Sequence, residues 1–406
     1  MRLTDEEKRM FDGEFGEATQ YSMEILVRLG DMYGADHLVE IQSAHLTGGY
    51  PEFLATVELT ESFINKKGRA RVVTTVNPMH QPMNFNRWPN LQEPPEYLQR
   101  AQRMINAIER IGAIPTCSCI PYFQGNLPRF GQNVAWIESS AISFANSVLG
   151  ARANRLTPGI DKAAAITGRI PCFGFLLDEN RKGNALVRLE YVPKNLTDYG
   201  TIGYIIGKYL GDKVPVIEGL PNHTTTNQLK ALGAAAAGRG AVALYHSVGL
   251  TPEARTRKQA FGSVKPEAEI KIGPKEIADA LGEINTAKDE HFDAILLGCP
   301  HPHIEEIRDL ASLLAGKRVK LSAKFLIFIS ADVLALARHL GYAHIIEETG
   351  AEFVERDCIL FFHIKHWGWK TAMTDSAKYA NLLPSEPTCL DVIYKDTASC
   401  VAAATI

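Results

Sequence analysis

Between residues 293 and 363 the chain alternates short apolar runs with helical patterns. The order is 293-DAILLG-298, a helix over 304–315, 318-RVKLSAKFLIF-328, a helix over 331–340 and a strand over 352–363. Strands separated by whole helices do not pair as hairpins. They need crossover connections, which is the βαβ alternation of a parallel sheet. This pattern fixes the class as α/β and carries a functional corollary, because ligands of open α/β sheets gather at the carboxyl ends of the strands.

The upstream chain obeys the same class less regularly. Thr4 and Glu7 make a capping box that opens a helix over residues 5–30, or two helices broken near Gly13 or Gly16. The run 38-LVEIQSAHL-46 reads as one strand and 69-RARVVTTVN-77 as another. Residues 77–95 hold five prolines, an uncommon length for a bare connection and therefore a functional loop. Residues 134–154 read as a helix packed at close quarters, 226–238 as an Ala-rich helix and 241–249 as a buried strand. The chain from about 260 to 290 reads as polar and helical. For 406 residues this supports a division in two parts, an α/β body over 1–285 and an α/β subdomain over 286–406.

Composition removes several classes. Lys and Arg number 43 against 46 Asp and Glu, and no basic run interleaves with aromatics, so no nucleic-acid surface is expected. No apolar run approaches the roughly 20 residues needed to span a bilayer. The N-terminus is not of the signal-peptide kind, so a cytoplasmic protein with reduced thiols is expected. Seven cysteines, an odd number, agree with that expectation.

Cys299 follows an apolar strand and Gly298, with His301 and a helix after it (297-LGCPHPHIEEI-307). A strand end beside a helix N-terminus favours a thiolate, although a buried thiol in a tight turn fits the same letters. Cys358 lies in the apolar 353-FVERDCILFF-362, where core packing is the simpler account. Cys117 and Cys119 are one residue apart in 115-PTCSCIPY-122. With no Cys-x-x-Cys anywhere, a thioredoxin couple or a zinc ribbon is not indicated. Three separated thiols are enough for an iron–sulfur cluster with one iron left open, an arrangement suited to Lewis-acid chemistry. The segment 134-VAWIESSAISFANSVLGARANR-155 carries Glu138, Ser139, Ser140, Asn146, Arg152 and Arg155, which fit either a polar pocket or a surface helix. In 374-TDSAKYANLLP-384, Thr374, Ser376 and Lys378 fit an anion grip or an ordinary helix start.

Taken in order, CIPYFQGNLP, AWIESSAISFANSVLGAR, AAITGRIP, LKALGAAAAGRGAVALYHSVGLTPEA, GCPHPHIEEI and TDSAKYANLLP resemble the large, catalytic subunit of aconitase X. IQSAHLTGG and TTVNP are weaker matches. The resemblance implies an aconitase-like multi-domain α/β body (domains 1–3). The swivelling fourth domain is absent from the chain and expected on a small partner subunit. It implies an iron–sulfur-dependent hydro-lyase of a small hydroxy acid, of the cis-3-hydroxy-L-proline or mevalonate 5-phosphate type. Carried over residue by residue, it implies cluster ligands at Cys119, Cys299 and Cys358, and catalytic groups at His301, His45, Glu138 and Ser139. Substrate contacts fall to Ser140, Asn146, Arg152, Asn77, Thr374, Ser376 and Lys378. Cys117 becomes a bystander close enough to substitute as a ligand.

Three stretches depart from the family pattern: Ala153-Asn154-Arg155-Leu156 after GAR, Asp375 where Asn is usual, and Thr47-Gly48-Gly49-Tyr50-Pro51 after His45. Asp375 places a negative charge that suits a phosphate poorly and an amino acid better. Two other readings stay open, a mononuclear-metal hydro-lyase and an inactive paralogue serving as a binding subunit.

Overall fold

The computed structural model describes residues 1–48, 54–81, 93–320, 322 and 324–406. Most of the Pro-rich stretch and the Gly49-Tyr50-Pro51 departure lie outside the described residues. The chain forms two compact units, Met1–Pro82 with Pro94–Lys182, and Met83–Glu93 with Gly183–Ile406.

The first unit starts as its capping chemistry demands. Thr4 and Glu7 form the capping box of the helix Asp5–Phe11, and Gly13 and Gly16 at positive φ separate it from the helix Glu17–Met32. The expected single strand over 38–46 is two strands. β1 (Leu38–Glu40) pairs antiparallel with β5 (Arg169–Pro171). β2 (Ser43–Leu46) is the centre of a parallel sheet, flanked by β3 (Val73–Val76) and β4 (Val134–Trp136). Residues 134–154 are accordingly not one helix. After β4 the Glu138 side chain caps a short helix, Ser139–Phe144, which widens into a π-turn over Ala145–Leu149. Met10, Leu26, Phe63, Ile108 and Ile166 build the apolar core around this sheet.

The second unit holds two all-parallel sheets. In the first, β6 (Ala185–Leu189) lies between β7 (Pro215–Glu218) and β9 (Ala268–Ile272), with β8 (His246–Ser247) beyond β7. The expected strand over 241–249 thus shrinks to two residues, and β9 interrupts the stretch expected to be helical. The helices Leu196–Leu210 and Thr226–Gly240 pack backbone to backbone. A Cβ on Gly203 would lie 2.1 Å from the Leu232 carbonyl oxygen, and one on Gly240 would lie 1.9 Å from that of Gly207.

The second sheet has the order β12 (Glu352–Glu355), β11 (Lys324–Ile329), β10 (Ala294–Leu297), β13 (Thr371–Thr374), β14 (Asp391–Tyr394), all parallel. The order reverses between β10 and β13, which is the topological switch point where doubly wound sheets bind ligands. β12 ends earlier than expected because Arg356 turns into the left-handed region at φ 66°, so Cys358 leaves the strand and sits on a loop.

Candidate active site

In the first unit the predicted residues collect at the carboxyl edge of the β3–β2–β4 sheet. His45 is the third residue of β2, Asn77 follows β3, and Glu138, Ser139 and Ser140 follow β4. Segment 114–118 runs along the end of β3, with Ile114 N–H bonded to Thr74 O and Ser118 N–H to Val76 O, so Cys119 emerges at the same edge. Glu138 organises the cluster. One carboxylate oxygen accepts from the Ser140 amide at 3.1 Å and the Ser140 hydroxyl at 2.7 Å, and the other accepts from Asn77 Nδ2 at 3.3 Å. His45 is fully buried, with Nδ1 2.8 Å from Thr75 Oγ1. Burial drives its pKa down to about 4, against small upward pulls from Glu138, Asn77 and the Ser118 backbone. Its ring is therefore neutral at physiological pH.

The exit of β2 is pinned by a buried ion pair. Asp161 and Lys162, both with side chains wholly enclosed, lie 3.2 Å apart. Asp161 accepts from Thr47 N–H (3.0 Å) and Gly159 N–H (2.9 Å), while Lys162 Nζ donates to Thr47 O (3.2 Å). Both backbone groups of Thr47, two residues beyond His45, are thus held.

Two of the predicted substrate contacts in this unit are engaged in the fold itself. The Asn146 amide donates to Ala153 O and accepts from Ala153 N, both at 2.9 Å, and it also receives Arg181. Arg152 donates to Leu176 O and pairs with Asp178. Cys117 is fully buried within the apolar core, and its φ of 46° breaks the extended geometry that would turn it the same way as Cys119.

In the second unit the predicted residues meet at the carboxyl edge of the five-stranded sheet. Cys299 follows β10 through Gly298 and a cis peptide to Pro300. Ser376 Oγ donates to the Cys299 carbonyl and accepts the Tyr379 amide (3.1 Å), and Tyr379 Oη lies 3.7 Å from Cys358 Sγ. His301, fully buried and with its pKa lowered to about 4 by that burial, donates from Nε2 to Asp357 O at 3.1 Å. These bonds tie the Cys299 turn to the Cys358 loop. Thr374 closes β13 by donating to Leu296 O at 2.7 Å. A cavity of about 310 Å³ at the switch point is lined by Cys299, Ser376, Lys378, Asp375, Lys230 and Glu306, among others. Lys230, not singled out in the sequence, donates to His301 O at 3.1 Å and pairs with Glu306. Asp375 accepts from Thr397 Oγ1 at 2.7 Å, and burial raises its pKa to about 6.

The donor chemistry suits an iron–sulfur cluster. All seven cysteines are free thiols, and Cys299 and Cys358 stand at one sheet edge within one bonded network. Burial raises the Cys358 thiol to about 11. A thiol so placed becomes a thiolate only when a metal's positive charge replaces the lost water. Among the described residues no three His, Cys, Asp or Glu side chains are grouped closely enough to hold a metal ion by themselves.

Residues 1–179 match the family profile of the aconitase X first domain, 183–282 the second domain and 292–406 the third. The chain belongs to the aconitase X family. The resemblance drawn from its motifs is borne out, as is the aconitase X body of three α/β domains. A phosphomevalonate dehydratase large subunit from Methanocaldococcus jannaschii is 38% identical over 393 residues, spanning 95% of this chain and 96% of its own. A cis-3-hydroxy-L-proline dehydratase from Pseudomonas aeruginosa is 34% identical across 94% of this chain and 66% of its own. The crystal structure of Thermococcus kodakaraensis aconitase X in its holo form covers all of both chains, with a TM-score of 0.89 at 36% identity. With dehydratases as relatives over nearly its whole length, this aconitase X chain is a hydro-lyase. No helix among the described residues is long and apolar enough to cross a membrane.

Proposed function

We propose that this aconitase X chain is the large subunit of an iron–sulfur-dependent dehydratase acting on mevalonate 5-phosphate. It works in the cytoplasm with a small swivel-domain subunit. Residues 286–406 form the subdomain that contributes Cys299 and Cys358, and residues 1–285 form the body that contributes Cys119. The observation that supports this most is the assembly of the Cys299 turn, the Cys358 loop and His301 into one hydrogen-bonded edge at a switch point. Support for the substrate and the partner comes from the phosphomevalonate dehydratase large subunits, which match this chain nearly end to end.

Cys119, Cys299 and Cys358 would hold the cluster, which when bound supplies Lewis-acid activation of the substrate hydroxyl. The protein groups do the rest. Lys378 and Ser376, which line the switch-point cavity, bind the anionic end of the substrate by charge-assisted bonds. Glu138, held by Ser140 and Asn77, presents a carboxylate at the first unit's strand ends. His301 orients the Cys358 loop through Asp357. Nε2 of its ring is engaged there, so its part is orientation of that loop.

A second reading is favoured by Asp375. This carboxylate on the cavity wall welcomes an ammonium and opposes a phosphate, which fits cis-3-hydroxy-L-proline. Both substrates are offered to the chain co-expressed anaerobically with its small subunit, and iron, sulfide and visible absorption are measured on the same sample. Turnover of mevalonate 5-phosphate with stoichiometric iron and sulfide is expected. Cys299→Ser and Cys358→Ser lose cluster and activity together, while Cys117→Ser keeps both. Iron without sulfide sinks the cluster in favour of a mononuclear centre. Full activity in either ligand variant sinks the ligand assignment, and inertness toward every hydroxy acid tried supports a binding subunit.

A further inference from the structure

His45 is held by two residues, Thr75 of the TTVNP segment and Asn126 of CIPYFQGNLP, to neither of which the motifs assign a role. Asn126 is buried, and its Nδ2 donates to Ala44 O at 3.1 Å and to Thr75 Oγ1 at 2.8 Å. A carbonyl only accepts, so the amide group facing Ala44 O is the NH₂, and its orientation is not open to a flip. Thr75 Oγ1 is then an acceptor toward Asn126 and has one hydrogen left. Thr75 is itself buried, and its remaining hydroxyl contact is His45 Nδ1 at 2.8 Å. If His45 Nδ1 carried the proton, both neighbours would donate to Thr75 Oγ1, and the hydroxyl hydrogen would be buried without an acceptor. Leaving a buried donor unmade is costly, so the favoured arrangement runs Asn126 Nδ2–H to Thr75 Oγ1–H to His45 Nδ1.

The consequence falls on the other side of the ring. Nε2 of His45 is enclosed and has no bond of full geometry, and the same holds for Asn77 Oδ1 at the same strand ends. The groups that draw the ring's pKa upward from that region, the Asn77 amide and the Ser118 backbone, act as acceptors.

We propose that Thr75 and Asn126 are positioning residues that hold His45 as its neutral Nε2–H tautomer, presenting that hydrogen to a substrate oxygen at the strand-end cluster. His45 then acts as a neutral hydrogen-bond donor. It stabilises charge developing on oxygen without itself cycling through imidazolium. The tautomer follows from the packing alone, and its use in turnover rests on the dehydratase activity. The relay is also local to one sheet. His45 and Thr75 are direct partners in the β2–β3 register, and Asn126 reaches both strands.

The test is ¹⁵N-histidine labelling of the full chain, with two-bond ¹H–¹⁵N correlations between pH 6 and 8 and His45→Gln to assign the ring. Wild type shows a protonated Nε2 and a bare Nδ1. In Thr75→Val the Nδ1 loses its donor and its ¹⁵N resonance moves downfield toward that of an unbonded imine nitrogen, while Thr75→Ser keeps the wild-type pattern. In the complex with the small subunit, Thr75→Val lowers kcat on the order of 10²-fold with KM little changed, and Thr75→Ser restores it. A wild-type ring with Nδ1 protonated overturns the proposal without any variant. So does a Thr75→Val protein that loses the Nδ1 hydrogen bond yet keeps wild-type kcat. If the wild-type complex turns over neither substrate, the substrate reading fails, and the spectra of wild type and Thr75→Val still decide the tautomer.

Discussion

The Asp161–Lys162 pair gives two substitutions whose costs differ in a set order. In Asp161→Ala the Lys162 ammonium stays enclosed with only the Thr47 carbonyl, and the Thr47 and Gly159 amides lose their acceptor. Removing one partner of a buried pair costs about 3–5 kcal/mol, and two orphaned amides push the total to the upper end, about 5 kcal/mol. In Lys162→Met the carboxylate keeps both amide bonds, a solvation that the ammonium lacks in the converse variant. The thioether also fills most of the volume, so the cost falls at about 3 kcal/mol. Urea denaturation followed by circular dichroism reads this directly. For an m-value of about 3 kcal/mol/M, the midpoints fall by roughly 1.7 M and 1 M. Amide exchange at Thr47 accelerates in Asp161→Ala and less in Lys162→Met. The reasoning is refuted if Lys162→Met costs as much as Asp161→Ala, or if both stay within about 1 kcal/mol of wild type.

Two further outcomes follow from buried titrating groups. The Asp375 carboxyl has a folded pKa raised from 3.8 to about 6, so the folded state holds its proton more tightly. Its cost is absent below pH 3.8, sets in as pH rises to 6 and stays above it. Asp375→Asn therefore gains up to about 3 kcal/mol over wild type at pH 8 relative to pH 4, read from paired denaturation curves. His45 and His301 have folded pKa values lowered from 6.5 to about 4. Each contributes stability that is complete above pH 6.5 and is lost as pH falls to 4, about 3 kcal/mol apiece, so His301→Gln flattens the acid limb of the stability profile.

What could be read in advance follows the range of the interactions. The helix start fixed by the Thr4 capping box and the Ala-rich helix from residue 226 stand where the letters put them. The alternation after residue 293 points to three of the five parallel strands, β10, β11 and β12, and with them to the strand-end setting of Cys299, but not to the short β13 and β14. Errors arose where a local apolar run is cut by a backbone turn. Arg356 ends β12 before Cys358, and Ile41-Gln42 divides one expected strand between two sheets. The relay to His45 was out of reach because it depends on which residue of β3 stands opposite His45. That register is set by packing 30 residues away in sequence. Lys230 escaped notice for a similar reason. It sits in an Ala-rich helix whose letters carry no sign that one lysine turns inward to His301.

The helices Leu196–Leu210 and Thr226–Gly240 touch through main chain at Gly203 and Gly240, with no layer of side chains between them. A spacing set by side chains can drift as sequences diverge, because one residue's growth is absorbed by another's shrinkage. A spacing set by carbonyl oxygens against Cα hydrogens has no such slack. The pair therefore acts as a fixed gauge. Asn195–Thr197 begin one helix and Lys230 stands on the other, and both line the switch-point cavity. The spacing of those two lining segments is thus inherited from backbone contact, and substitutions that retune the substrate fall to other lining residues, among which Asp375 already departs.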